Sequence, residues 1–326
     1  MPRKQPEFKT KKLYYRRAKW EGQSKKTLQE ILVDAHAKLD TVGKRTFAIG
    51  SGAEIQGANV KVESGLYLQI ASYVPGEATS IIDKDATAKN SSVTAQIAPS
   101  GKDYLNGDIF VYINGNHLIL CPSGVRENLV EIYIYLILQT VDEKNIASTF
   151  ELDKVAKISK LKMIKDEGVK EIELKASLYE ASLIHLNKDK PKVSGIQGAI
   201  AHELSALFCK DPELKDIREK ENLSVSVVLR VDGNEAKRHS REIGFGDAGK
   251  KRLRRTAEFI INEFETDGDD GFVIVTGANN KITSDEIRVS DSFRVSTLGK
   301  SLSLNSAWTQ LKEYFNRLND EGVLKQ

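Results

Sequence analysis

Two apolar runs, Ile109-Phe110-Val111-Tyr112-Ile113 and Asn116-His117-Leu118-Ile119-Leu120, flank the dipeptide Asn114-Gly115. Asn-Gly supplies the two positive-φ positions of a type I′ turn, whose twist matches that of paired antiparallel strands. An antiparallel sheet is therefore required. Elsewhere the same logic repeats: Leu66–Ile70 alternates, and Ile172-Glu173-Leu174-Lys175-Ala176 has a clean period of two. Leu223–Val231 is a strand that ends at Asp232-Gly233-Asn234, and strands at 272–276 and 283–296 flank the turn Gly277-Ala278-Asn279-Asn280.

Apolar stripes of helical period predict helices at 24–41 (with Ser24 as N-cap), 126–140, 153–166, 177–187, 195–209, 248–265 and 304–320. Residues 80–101 are polar and read as a loose connection. Helices fall between hairpins without a steady βαβ alternation, so the fold class is α+β: antiparallel sheets with flanking helices. A length of 326 residues suits two domains. The texture turns polar over 141–150, which sets domains at 1–147 and 148–326, the latter carrying a basic helix.

Hydrophobic residues make up 40% of the chain and charged residues 29%, which excludes a disordered chain or a disulfide-stapled miniprotein. The greasiest stretch, Leu129–Leu138, is ten residues long and contains Glu131, so it reads as a buried helix and not a membrane span. The start, Met1-Pro2-Arg3-Lys4-Gln5-Pro6, lacks the apolar core of a secretory signal. Cys121 and Cys209 have no ligand-like spacing and read as buried thiols in a reducing cytosol. The expected compartment is cytoplasmic.

The formal net charge of +3 conceals two basic islands. Residues 1–26 carry ten cations against Glu7 and Glu21, a local charge of +8. From Lys237 to Arg255 there are eight cations against Glu242 and Asp247, a local charge of +6. Such unevenness creates positive potential that attracts polyanions, nucleic-acid phosphate foremost. A solubilising tail and one solvated helix face would give the same composition.

The helix at 248–265 holds Lys250, Lys251, Arg252, Arg254 and Arg255 in its expected first turn, where cations oppose the helix dipole unless an anion binds. If Leu253 and Ala257 face the core, Lys251, Arg252 and Arg255 splay outward. Just before it, Gly244-Phe245-Gly246-Asp247-Ala248-Gly249 matches G-x-G-x-x-G, but no buried parallel strand precedes it, so a hinge or phosphate-adjacent loop fits better than a dinucleotide site. Glu173 and Lys175, with Asp153 or Asp166 upstream, have the pattern of restriction-type nucleases that bind Mg²⁺. Chance in a Lys/Glu-rich strand produces that pattern too. His202-Glu203 lacks the second histidine of a zinc-protease helix, and the five histidines show no ligand spacing. Asp267, Asp269 and Asp270 read as an acidic turn. No catalytic residue, metal or cofactor is expected.

The chain resembles the RexA family, cytoplasmic DNA-binding components of lambdoid-prophage exclusion systems. The likeness lies in Tyr14-Tyr15-Arg16 leading to the Leu28–Leu32 helix, in the hairpin around Asn114-Gly115, and in Lys250-Lys251-Arg252-Leu253 through Ala257, Ile260, Ile261 and Asn262. The resemblance implies a homodimer of two-domain subunits that binds duplex DNA with little sequence preference, beside a membrane or other defence-system protein. It also implies a distant likeness to ring-forming nucleoid proteins of the RdgC kind. The basic N-terminus and the residues after 140 extend beyond the family pattern.

The expected function is thus non-enzymatic DNA binding in anti-phage defence or superinfection exclusion. Arg16, Arg17, Lys237, Arg238 and Arg241 would grip the phosphate backbone together with Lys250, Lys251, Arg252, Arg254 and Arg255. Two alternatives stand beside it: an Mg²⁺-dependent nuclease using Glu173 and Lys175, and a protein-interaction module with a basic docking surface.

Overall fold

The structure is a computed structural model that describes residues 7–21, 24–84, 87, 89–177, 224–231, 245–263 and 271–325. The chain divides into two compact units, one built from Met1–Val155 with Ser290–Gln326 and the other from Ala156–Val289. The break expected at 147/148 is therefore corrected in two ways. It falls later, and the last 37 residues return to the first unit instead of staying with the second. The described residues form helices and antiparallel sheets, an α+β fold.

In the first unit the strands are β1 (Phe8–Lys19), β2 (Thr46–Ala48), β3 (Glu54–Val62), β4 (Leu66–Tyr73), β7 (Leu105–Asn114), β8 (His117–Ser123), β9 (Glu151–Lys154), β14 (Ser290–Leu298) and β15 (Ser301–Leu302). They make one antiparallel sheet in the order β15-β14-β1-β8-β7-β4-β3-β2. β14 pairs with Phe8–Tyr14 of β1, and β9 pairs with Arg16–Lys19 on the same edge. The chain leaves this unit after β9 and re-enters at β14, so the second unit is inserted in the sequence of the first.

Helices α1 (Leu28–Lys38) and α2 (Leu129–Thr140) bury Ile31, Leu32, Tyr133 and Ile137 in one core with Ile109, Val111, Ile113, Leu66 and Leu68. Helix α7 (Leu304–Asp320) covers the opposite face, with Trp308 5.5 Å from Tyr67 and Phe315 5.2 Å from Tyr112. Helices on both faces explain why Ile109–Ile113 is an unbroken apolar run: alternate residues face different layers and all are buried.

The hairpin expected at Asn114-Gly115 forms, with its turn one residue later. Asn114 pairs with His117, leaving Gly115-Asn116 as the loop. Gly115 has φ +60° and neither asparagine has a positive φ, the pattern of a type II′ turn and not the expected type I′. The loop docks on the start of α1. Gly115 O accepts from Gln29 N, and Asn116 Oδ1 accepts from Leu28 N at 2.8 Å. Helix α1 begins four residues later than expected, because Thr27 and not Ser24 is its N-cap, and Thr27 forms a capping box with Glu30. Residues 79–96 also depart from the expected loose connection. They form a two-stranded ribbon of β5 (Thr79–Ile82) and β6 (Val93–Gln96). The helix expected over 153–166 starts only at Ile158, and Asp153 and Lys154 instead end β9, drawn into the sheet by its pairing with β1.

Polar groups within this core are held by backbone. His36 Nδ1 donates to Leu32 O at 2.7 Å, and Tyr133 Oη donates to His36 Nε2 at 3.0 Å. Arg45 donates from Nε to Gly57 O and from Nη1 to Leu39 O, the carbonyl at the C-terminal cap of α1, where a cation is favoured. Burial pushes the His36 pKa down from 6.5 to about 4, with the Arg45 charge adding to the effect and the Leu32 hydrogen bond opposing it. The native state therefore holds a neutral ring, and its contribution is complete above pH 6.5 and lost as pH falls toward 4. Relative to His36→Gln, the wild type should lose about 2 kcal/mol of stability between pH 6.5 and about 5, measured by urea denaturation. A pH-independent difference between the two proteins would refute a neutral His36.

The second unit holds α4 (Ile158–Glu167), α5 (Phe245–Glu263), α6 (Ser284–Ile287) and a four-stranded antiparallel sheet. Its strands are β10 (Val169–Ser177), β11 (Ser224–Arg230), β12 (Gly271–Thr276) and β13 (Lys281–Thr283), in the order β11-β10-β12-β13. Helix α6 interrupts the strand expected over 283–296, since Thr283 and Glu286 form a capping box. Leu253, Ala257, Ile260 and Ile261 of α5 pack with Ile172, Leu174, Phe272 and Ile274 of the sheet. Of the helix expected at 177–187 only Ser177 is described, as the last residue of β10; the rest of it, the helix expected at 195–209 and Cys209 lie outside the described residues.

Candidate nucleic-acid interface

The expected cations divide into three groups. Arg16 is 2% exposed. Its guanidinium pairs with Glu127, donates to Tyr15 O at 2.9 Å and lies 5.6 Å from the Tyr14 ring centre. A phosphate cannot reach it, so Arg16 is removed from the expected contact set; its charge belongs to the interior of the first unit. Arg17, the next residue on the strand, faces the opposite side. It is half-buried, and its Nη2 donates to Tyr15 Oη at 3.4 Å. Tyr15 Oη also meets His117 Nδ1 at 2.7 Å. Lys237, Arg238 and Arg241 lie outside the described residues.

The third group stands on α5. The helix starts at Phe245, three residues before its expected beginning. Lys250–Arg255 therefore occupy the second and third turns, where the dipole has largely faded, and the expected conflict between these charges and the helix end is corrected accordingly. Phe245–Gly249 of the G-x-G-x-x-G motif, expected to form a loop, instead build the first turns of α5, while Gly244 lies outside the described residues. A Cβ on Gly249 would stand 3.2 Å from Val231 Cγ1, so glycine here lets the helix lie close to the end of β11.

One stripe of α5 (Leu253, Ala257, Ile260, Ile261) is buried, which turns the others outward. Lys250, Lys251, Arg252 and Arg255 are exposed. Arg254 is half-buried, and its Nε binds Glu258 Oε1 at 3.0 Å. Among the described residues no carboxylate forms an ion pair with the other four. Arg252 and Arg255 thus share the outward face, as the spacing requires, and Lys251 flanks them.

The sequence reading missed one member of this face. Phe259 is 48% exposed, four residues beyond Arg255 and seven beyond Arg252, on the same outward stripe. The spacing was available in the sequence. An aromatic residue in a helix, however, is ordinarily assigned to the core, and the neighbouring Ile260 and Ile261 do lie there.

The nuclease pattern does not assemble among the described residues. Glu173 Oε1 accepts from Ser226 Oγ at 2.8 Å, and Asp153 pairs with Lys19. No three His, Cys, Asp or Glu side chains among the described residues are grouped to hold a metal ion. Asp108 is fully buried in β7, and its Oδ2 accepts from Gln69 Nε2 at 2.7 Å and from Ser301 Oγ, which ties β15 to the sheet. Burial raises its pKa, and burial likewise pushes the Cys121 thiol up to about 12, so this cysteine is unreactive packing.

No known protein family and no curated protein matches this chain. The likeness to the RexA family therefore rests on the residues quoted for it alone. Among the described residues no helix is long and apolar enough to cross a membrane.

Proposed function

We propose that this is a non-enzymatic, cytoplasmic protein that binds DNA through the phosphate backbone with little sequence preference. The observation that carries the reading is helix α5, whose Lys250, Lys251, Arg252 and Arg255 stand exposed without a carboxylate partner among the described residues. Cations without a carboxylate partner keep their attraction for a polyanion, and each phosphate contact releases counterions from the nucleic acid. Because α5 is anchored by its buried stripe, the charges are presented on a fixed scaffold.

The test is a salt titration of binding to unrelated duplexes. Replacing Lys250, Lys251, Arg252 and Arg255 together with glutamine should reduce the slope of log K against log salt by about 3 to 4, if each cation neutralises one phosphate. Salt-insensitive binding, or binding confined to one sequence, would refute the proposal. Homodimerisation, a partnership with a membrane or other defence-system protein, and exclusion of infecting phage come from the resemblance alone. Their checks are the solution mass by light scattering and the plating efficiency of phage on cells with and without the intact protein.

A further inference from the structure

The outward face of α5 carries more than charge. Phe259 projects from the stripe that holds Arg252 and Arg255, with 48% of its surface open to water. The helix has a full apolar stripe elsewhere: Leu253, Ala257, Ile260 and Ile261 are each at most 7% exposed, so core packing does not call for a fifth large side chain on the far side. An exposed ring costs hydration free energy, and beside two guanidinium groups that have no carboxylate partner among the described residues its chemistry is specific. Arginines hold phosphates, while an aromatic face accepts a flat base. Arg252, Arg255 and then Phe259 follow one another along one helix face, so two phosphate holders lie beside one surface on which a base can stack. A base inside a duplex offers no π-face to such a ring, because both of its faces are stacked.

We propose that Phe259 stacks on an unpaired nucleobase while Arg252 and Arg255 hold the adjoining phosphates, so that the preferred ligand is single-stranded nucleic acid. This inference rests on the backbone-binding reading above and narrows its ligand. The ring selects strand state, and the cations set overall affinity. Sequence preference stays weak, since every base has a π-face.

The experiment measures fluorescence anisotropy of an oligothymidine of about 20 nucleotides, a duplex of equal length and an abasic oligomer, at matched salt concentrations. The proteins are wild type, Phe259→Ala and Phe259→Trp. Because Phe259 is exposed, thermal melts of the three should coincide. Phe259→Ala should weaken oligothymidine binding about 5- to 150-fold with an unchanged salt slope, while leaving duplex and abasic binding as in wild type. Phe259→Trp should retain affinity and show quenched indole emission when oligothymidine binds. Equal affinity of wild type and Phe259→Ala for oligothymidine overturns the inference but leaves the backbone-binding reading intact, because the α5 cation variant still tests that separately. An equal loss on all three probes also overturns it, since a base-stacking residue has nothing to lose on an abasic strand. If wild type binds none of the probes at low salt, both readings fall.

Discussion

Glu127→Ala should destabilise the first unit by about 3 kcal/mol, at the low end of the 3–5 kcal/mol expected when a buried ion pair loses one partner. Arg16 has a side chain only 3% exposed, and without Glu127 its charge stays out of water with a backbone carbonyl and the Tyr14 ring as its remaining neighbours. Glu127 is itself 22% exposed, so water takes part of the carboxylate's place and keeps the cost from rising further. The double substitution Arg16→Met with Glu127→Leu removes both charges and should lie within about 1.5 kcal/mol of wild type. Urea denaturation of the three proteins reads the effect. A single-variant loss as small as that of an exposed pair, under about 1 kcal/mol, would show that Arg16 finds water after all and would reopen its place among the phosphate contacts.

Gly57→Ala should cost about 3 kcal/mol or more, the upper range for forcing an added methyl group into a packed core. The new Cβ would stand 2.0 Å from Tyr133 Oη and 3.3 Å from Arg45 Cβ. Neither neighbour is free to yield. Tyr133 Oη is held by His36 Nε2, and Arg45 donates to the Gly57 carbonyl itself. Adding Tyr133→Phe removes the closest atom but leaves Cζ at 2.9 Å and strips His36 Nε2 of its donor. Rescue should therefore be partial, with the double variant still at least about 1 kcal/mol below wild type. An alanine variant as stable as wild type by chemical denaturation would mean that α2 can withdraw from β3 at little cost.

Much of the local structure could be read from residue order. α7 begins and ends where its stripe predicts, and the α5 stripe of Leu253, Ala257, Ile260 and Ile261 is the one that is buried. The misses have identifiable causes. Asp153 and Lys154 were expected to open a helix because Glu151–Lys154 is too short to show a period, and pairing with β1 decided their conformation. The turn at Gly115-Asn116 slipped by one residue because docking on the start of α1 favours one positive φ where Asn-Gly supplies two. Phe259 was overlooked because aromatic residues on helices are ordinarily assigned to the core.

Period and turn chemistry, which depend only on near neighbours along the chain, set the fold class, the hairpin and the existence of a cationic helix. Long-range packing settled which cations are usable. Arg16 and Arg252 are alike in a list of basic residues, yet one is buried on β1 and paired with Glu127, two residues before α2, and the other is exposed on its helix. The same holds for the course of the chain, whose C-terminal helix closes over the sheet that its first strand began. Burial and pairing partner are properties of distant residues brought together, and no local pattern encodes them.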